Sequence, residues 1–144
     1  MSILRKAGVS AVTAEPSTSV LRAVRLMKEG GVDTLFVVEK GVLLGAFTQR
    51  DLAFRVVLGG RDPEVTTVGE VMTSPAITVA ANATIADAVS VMAEHGVPQL
   101  PIVDEHGAIK GMVTLRDIFR EQRIDLTAEL ESLSAYHAAD GIGG

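Results

Sequence analysis

The segment GAFTQRD, residues 45–51, returns as GMVTLRD at residues 111–117. Both copies share Gly, Thr, Arg and Asp at the same spacing, and each leads from an apolar run typical of a strand into a pattern typical of a helix. The flanking sequence is duplicated too, at a shift of 65 residues that becomes 66 from Gly45 onward. The extra residue falls near His106 and Gly107, where a hairpin tip absorbs it without reversing the buried face of a strand.

Each copy reads as strand, helix, strand, strand, helix, with the last two strands joined as a hairpin. A half of roughly sixty residues buries too little surface alone, so we expect the copies to pack against each other. The sequence therefore predicts an α/β (α+β) fold: two β-α-β-β-α repeats packed as a pseudo-twofold pair with small mixed sheets, plus a C-terminal helix. The predicted boundaries are a first domain at residues 1–60, a linker at 61–67, a second domain at 68–124, and a C-terminal helix and tail at 125–144.

The composition argues against several classes of function. The net charge of -5 and the lack of a long basic run argue against nucleic acid or an anionic membrane as a partner. No cysteine is present, which removes disulfides, thiolate catalysis and cysteine-based metal sites. The first residues lack the pattern of a signal peptide, and no apolar run is long enough to span a bilayer, so we expect a cytoplasmic location.

The sequence also lacks the usual patterns of catalytic machinery. The histidines, His95, His106 and His137, have no metal-ligand spacing. There is no Gly-rich loop ending in Gly-Lys-Ser or Gly-Lys-Thr, and no serine elbow. Asp51 or Asp117 could act as the base of a nucleotide hydrolase, but a carboxylate that binds a ribose needs no further partner. We therefore predict no catalytic residues, no metal ligands and no enzymatic activity.

The repeated motif carries groups that suit a ribonucleotide. A helix that begins directly after a strand presents free backbone N–H groups and the positive end of its dipole to a phosphate. Glycine permits close approach, threonine and arginine donate to ribose or phosphate oxygens, and aspartate accepts from paired ribose hydroxyls. These residues are Gly45, Thr48, Arg50 and Asp51 in the first copy, and Gly111, Thr114, Arg116 and Asp117 in the second.

The same residues have a purely structural interpretation. Threonine followed three residues later by an acidic residue is also a capping box, in which the two side chains satisfy the free N–H groups of a helix start. This alternative explains the threonine and the aspartate without a ligand, but a cap requires neither the glycine nor the arginine that both copies share. The residues alone leave open a nucleotide-binding module and a structural or protein-interaction module with empty clefts.

The doubled Gly-x-x-Thr-x-Arg-Asp pattern resembles that of tandem CBS domains, the module named after cystathionine β-synthase, from about Val9 to Gln122. The resemblance implies a pseudo-symmetric pair with two equivalent clefts that bind adenosine-containing ligands. AMP, ADP or ATP are expected first and S-adenosylmethionine or NAD second, with no metal required. It also implies a module that regulates a partner, which here is an unidentified separate protein, and that associates into a homodimer.

The resemblance assigns roles to particular positions. Asp51 and Asp117 would hold the ribose, and Thr48, Arg50, Thr114 and Arg116 would face the ribose and phosphates. Thr13, Ala14, Thr78 and Val79 would lie beside the adenine, Val32 and Val97 would pack on its faces, and backbone groups around Asp33, Thr34, Pro98 and Gln99 would read its edge.

The two copies differ in the predicted wall for the base. Copy two has Pro98 and Pro101, close to the pattern usual in the family, whereas copy one has Asp33 and Phe36. We therefore expect the site that ends at Asp117 to bind nucleotide better. A stripe of leucines after the second copy (Leu126, Leu130 and Leu133) predicts a helix that covers an apolar surface of its own chain or of a partner chain.

Overall fold

The computed structural model describes residues 11–121, and here each copy of the sequence forms one small sheet with helices packed against it. The first repeat contains β1 (Thr13–Ala14), α1 (Val20–Gly30), β2 (Thr34–Glu39), β3 (Val42–Thr48) and α2 (Gln49–Asp51), which continues as a π-helical segment at Leu52–Val57. Next come α3 (Val68–Val71), β4 (Val79–Ala80), α4 (Ile85–His95), β5 (Gln99–Val103), β6 (Ile109–Thr114) and α5 (Leu115–Glu121). The predicted fold of two β-α-β-β-α repeats is confirmed, and the predicted C-terminal helix at residues 125–144 lies outside the described residues.

The two sheets have the same topology. Their strand orders are β1-β2-β3 and β4-β5-β6, with the first pair of each sheet parallel and the second antiparallel. Val38 pairs with Leu43 in the first hairpin, whereas Val103 pairs with Ile109 in the second, so the second hairpin tip is one residue longer. The predicted position of the extra residue is confirmed.

Helices α1 and α4 begin and end at the signals expected from the sequence. Ser19 Oγ accepts a hydrogen bond of 3.1 Å from the N–H of Arg22, and Thr84 forms a capping box with Asp87 at the start of α4. Both helices end at a glycine in the left-handed region, as at Gly31 with a φ of 64°. The caps fix which face of each helix covers its sheet.

Each sheet has its own apolar core. The first core contains Val20, Ala23, Met27, Leu35, Val37, Phe47, Val56, Val68 and Val71, and the second contains Val79, Ala88, Met92, Leu100, Ile102, Val113 and Ile118. Val68 and Val71 belong to α3, which lies within the predicted second domain but packs in the first core. The N–H of Val20 also donates to the carbonyl of Thr66 at 2.8 Å, so the segment between the repeats is tied to α1.

Backbone contacts join β3 to the residues before β4, here called the lead-in segment (residues 72–76). Ala46 and Thr73 pair through two hydrogen bonds of 2.9 Å each. Ser74 Oγ donates to the carbonyl of Leu44 at 2.7 Å. These contacts bring the start of α2 beside the second repeat.

The helix after the first motif changes its geometry. The N–H of Leu58 donates to the carbonyl of Ala53 five residues earlier at 2.9 Å, which is the wide turn of a π-helix. Val56 is buried, whereas Phe54 and Val57 are exposed. The wider turn therefore leaves apolar side chains at the surface and directs Phe54 toward the space between the repeats.

Candidate functional site

The first motif forms a complete capping box at the start of α2. Thr48 Oγ1 accepts from the N–H of Asp51 at 3.1 Å, and Asp51 Oδ2 accepts from the N–H of Thr48 at 3.0 Å. In the second motif Thr114 Oγ1 accepts from the N–H of Asp117 at 3.0 Å. The threonines and aspartates thus have a structural role at helix starts whether or not a ligand is present.

Gly45 meets the other repeat rather than a ligand. A Cβ at this position would lie 2.6 Å from the carbonyl oxygen of Thr73 and 2.9 Å from Sδ of Met72. Gly45 is buried and does not line the cavity between the repeats. The close approach that we assigned to a ligand at this glycine is instead an approach of the lead-in segment to β3.

A cavity of about 590 Å³, here called the first cavity, lies between the repeats in front of α2. The polar start of α2 and the π-helical segment contribute Thr48, Gln49, Arg50, Asp51, Phe54 and Arg55. The strand β2 with the residues before it and β3 contribute Asp33, Thr34, Phe36 and Ala46, and the second repeat contributes Thr73, Pro75, Ala76, Ile77, Val97, Pro98, Gln99 and Pro101. One side is therefore polar, with two arginines and two carboxylates, and the opposite side is mostly apolar.

A second cavity of about 540 Å³ lies in front of the second motif. It is lined by Met27, Lys28, Gly31, Val32, Asp33, Gln49, Pro98, Gln99, Thr114, Leu115 and Arg116. Both cavities are bordered by Asp33, Pro98 and Gln99, so the segments that precede β2 and β5 separate them.

The structure divides the predicted nucleotide-binding residues into three groups. The first cavity is lined by Asp33, Thr48, Arg50, Asp51, Val97, Pro98 and Gln99, and the second by Val32, Asp33, Pro98, Gln99, Thr114 and Arg116. Thr13, Ala14, Gly45, Thr78, Val79, Gly111 and Asp117 line neither of these cavities. In place of the predicted Thr78 and Val79, the two residues just before them, Ala76 and Ile77, line the first cavity.

The sequence predicts that the residues beside the base differ between the two sites, and the structure does not divide them in this way. The first cavity combines Asp33 and Phe36 of the first repeat with Pro98 and Pro101 of the second. Both kinds of wall therefore face the motif that ends at Asp51, because β2 and β5 border the same space. The expectation that the second site binds nucleotide better assumed that each repeat supplies the wall of its own site. The first cavity does not fit that assumption.

Sequence analysis missed the cavity residues Phe54, Arg55 and Thr73. Phe54 and Arg55 follow Asp51 at helical spacing, and this spacing could have placed them near the motif. Arg50 lies over the ring of Phe54, 5.4 Å from its centroid. Thr73 has no such local signal, because it reaches the motif only through the packing of the two repeats.

The carboxylate of Asp51 is surrounded by donors from the protein. Oδ2 accepts from the N–H and the hydroxyl of Thr48, at 3.0 and 3.1 Å. Oδ1 accepts from the hydroxyl of Thr73 at 2.9 Å and lies 3.5 Å from Nε of Arg55. The side chain is almost fully buried, with 5% of the residue exposed.

The carboxylate of Asp117 has a different environment. The residue is 9% exposed, and no group in residues 11–121 donates a hydrogen bond to its Oδ2. By sequence, Thr73 and Arg55 correspond to Gly8 and Glu121, which carry neither a hydroxyl nor a positive charge. A buried carboxylate oxygen without a donor is costly, and Asp117 lines neither of the two cavities.

The sequence profile of the CBS domain matches the chain twice, at residues 5–57 and 68–123. The chain belongs to the CBS-domain family. Its CBS pair is also 40% identical over 106 residues to the CBS domain-containing protein YhcV of Bacillus subtilis, covering 74% of each chain. An uncharacterized protein of Methanopyrus kandleri is 34% identical over 110 residues, covering 76% of this chain and 56% of that one.

One enzyme contains a similar segment as a small part of its length. The inosine-5'-monophosphate dehydrogenase of Korarchaeum cryptofilum is 35% identical over 108 residues, which are 75% of this chain but 21% of the enzyme. The match thus covers the CBS part and leaves out most of the enzyme. It gives no support for dehydrogenase activity in this CBS pair.

Solved structures share the fold of this CBS pair. Hypoxic Response Protein I, which holds two coordinated zinc ions, is 31% identical with a TM-score of 0.71, covering 83% of this chain and 98% of that one. The cytosolic domain of the Mg²⁺ channel MgtE, in complex with ATP, is 26% identical with a TM-score of 0.65, covering 76% of this chain and 44% of that one. In residues 11–121 no group of three or more His, Cys, Asp or Glu side chains is placed to hold a metal ion. No helix in this range is long and apolar enough to cross a membrane.

Proposed function

We propose that this CBS pair binds adenine nucleotides, namely AMP, ADP or ATP, in the clefts between its repeats. The observation that carries the proposal is the division of the first cavity into a polar side that holds two arginines and an apolar side. Its volume of about 590 Å³ is within the range of small-molecule sites, about 300–1,000 Å³. A ligand that fits such a space has an apolar planar part and an anionic part, as a nucleotide does.

The lining residues offer a partner for each part of the nucleotide. Ile77, Pro98 and Pro101 form the apolar wall for the base. The guanidinium groups of Arg50 and Arg55 are on the opposite side, where they can neutralise phosphates. The complex of the related MgtE domain with ATP supports the assignment of an adenine nucleotide.

The second motif supports a second nucleotide site. Thr114 and Arg116 line the second cavity together with Lys28, so this cavity also has cationic groups. Asp117 itself lines neither cavity, so its buried Oδ2 adds nothing to this argument. The prediction that the second site binds nucleotide better is kept as part of the proposal.

The role of the module is to regulate a separate protein in response to the bound nucleotide. This part of the proposal is supported by membership of the CBS-domain family and by the dehydrogenase relative, in which a similar segment is joined to an enzyme. Homodimer formation, a cytoplasmic location, the lack of a required metal and the boundaries at residues 60, 67 and 124 belong to the same proposal.

A structural module with empty clefts is the second candidate. The observation that favours it is the environment of Asp51, whose two oxygens already accept hydrogen bonds from Thr48 and Thr73. In this candidate the motif only caps α2 and fastens the lead-in segment. It predicts that no nucleotide binds either repeat.

Mass spectrometry and calorimetry decide between the candidates. Ligand released from the purified full chain is identified by mass, and AMP, ADP, ATP, S-adenosylmethionine and NAD are titrated into ligand-free protein. We expect heat from at least one of the three adenine nucleotides, and loss of affinity in Arg50→Ala and Arg116→Ala. Silent titrations with every compound, together with no released ligand, would establish the structural module instead.

A further inference from the structure

The carboxylate of Asp51 has no vacant position for a sugar. A carboxylate has about four lone-pair sites. Thr48 supplies two donors to Oδ2, and Thr73 and Arg55 approach Oδ1 at 2.9 and 3.5 Å. Three hydrogen bonds and one guanidinium of the protein itself therefore already surround this carboxylate.

The hydroxyl of Thr73 is held firmly in this position. The backbone of Thr73 pairs with that of Ala46 through two hydrogen bonds of 2.9 Å each. The neighbouring Ser74 is fastened to Leu44 at 2.7 Å, and the preceding carbonyl of Met72 accepts from Arg55 Nη1 at 3.0 Å. Three consecutive residues are thus anchored, so the hydroxyl is positioned by the backbone on both sides.

A sugar hydroxyl that enters this site gains little from Asp51. It must first displace the hydroxyl of Thr73, and one hydrogen bond to a carboxylate is then exchanged for another of the same kind.

We propose that Thr73 takes the place of a sugar hydroxyl on Asp51, so that the first cleft accepts ribose and deoxyribose nucleotides alike. This inference rests on the proposed nucleotide binding and makes Thr73 the residue that determines sugar specificity. The base and phosphates still bind the first cleft through its apolar wall and its arginines.

Calorimetry with AMP and dAMP, its deoxyribose form, tests the inference on the full chain. Arg116 lines only the second cavity, so Arg116→Ala weakens that site and reports on the first cleft. Thr73→Val, which removes only the hydroxyl, and Thr73→Ser, which keeps it, are each combined with Arg116→Ala. Thermal unfolding of every variant shows that it is folded at the temperature of the titration.

The expected outcomes are ratios of Kd for dAMP to Kd for AMP. The ratio is within about threefold in Arg116→Ala. Adding Thr73→Val raises the ratio to about tenfold, through a ribose hydroxyl that now reaches Oδ1, while adding Thr73→Ser leaves it unchanged.

Two results would overturn the inference. One is a tenfold preference for AMP already present in Arg116→Ala, a measurement that needs no change at Thr73. The other is an unchanged ratio when Thr73→Val is added. Either result leaves the proposed nucleotide binding intact, because AMP is bound in both cases. Absence of binding in wild type and in every variant removes both proposals.

Discussion

Nη1 of Arg55 donates a hydrogen bond of 3.0 Å to the carbonyl of Met72, while Nε of the same side chain lies 3.5 Å from Asp51. One guanidinium of the π-helical segment therefore connects the first motif to the lead-in segment of the second repeat. This side chain couples helix geometry in one repeat to the position of the other, alongside the hydrogen bond from Thr73 to Asp51.

Replacing Arg55 by alanine should lower the free energy of unfolding by about 1 kcal/mol, since a hydrogen bond between the repeats is lost. Urea unfolding measures the loss. Arg61→Ala is the matched control, because Arg61 only pairs with Glu70 at 3.3 Å and both side chains are about half exposed. The control should change stability by less than about 0.5 kcal/mol. Equal losses in the two variants would contradict the connecting role of Arg55.

Gly45→Ala should destabilise the chain by about 2 kcal/mol, because the new methyl group meets a backbone oxygen at 2.6 Å. Gly69→Ala provides a graded comparison, since its closest neighbours, both atoms of Pro16, are at 3.0 Å. Thermal unfolding should show the larger drop in Tm for Gly45→Ala. The reverse order would mean that β3 and the lead-in segment separate easily.

Thr48→Ala and Thr84→Ala remove the same cap from two helices, and only Thr48 lines a cavity. Each variant should lose about 1 kcal/mol of stability. Only Thr48→Ala should also weaken nucleotide binding, measured by calorimetry after correction for any unfolded fraction. If Thr84→Ala weakened binding equally, the effect would come from stability and not from the motif.

Phe54→Ala should weaken nucleotide binding with little change in stability. Phe54 is 57% exposed, so its removal uncovers little core, but its ring supports Arg50 at 5.4 Å. Leu58→Ala is the control, because Leu58 is 78% exposed and does not line the first cavity. A similar affinity for ATP in Phe54→Ala and wild type would show that Arg50 keeps its position without the ring.

The second hairpin tip should respond to acid. The pKa of Asp104 is lowered chiefly by the hydrogen bond from the N–H of Ala108, with smaller effects of the same sign from the N–H of His106 and from Lys110. Because the pKa is lower in the folded chain than in the unfolded chain, this stabilisation is present above the unfolded pKa and is lost as pH falls through the folded pKa.

Asp104→Asn keeps an acceptor at this turn but removes the titrating group. The Tm of the variant should therefore fall less steeply than that of wild type over the acidic range where Asp104 becomes protonated. Thermal unfolding at a series of pH values measures both slopes. Parallel curves for the two proteins would show that Asp104 does not contribute to the acid sensitivity.

Much of the fold could be predicted because its signals are local or repeated. The cap at Ser19 and the glycine at Gly31 lie within a few residues of the helix that they bound. The duplication predicted the same sheet topology for both copies. The change of the repeat shift from 65 to 66 residues located the longer hairpin tip. These features depend on neighbours in sequence, which a single chain displays directly.

The candidate site was predicted less completely because its contacts cross between repeats. The hydrogen bond from Thr73 to Asp51 joins residues 22 positions apart, and no periodicity indicates it. The role of Gly45 was misread for the same reason, since the group that approaches it belongs to the other repeat. The π-helical turn, which places Arg55 beside the carbonyl of Met72, also has no distinctive sequence pattern.

Helix α3 has a consequence for how the chain unfolds. It belongs by sequence to the second copy, yet Val68 and Val71 fill the core of the first, next to Val20. Melting the first repeat therefore exposes residues that continue directly into the lead-in segment of the second. The two copies should therefore denature in one cooperative transition, because the core of the first is incomplete without α3 of the second.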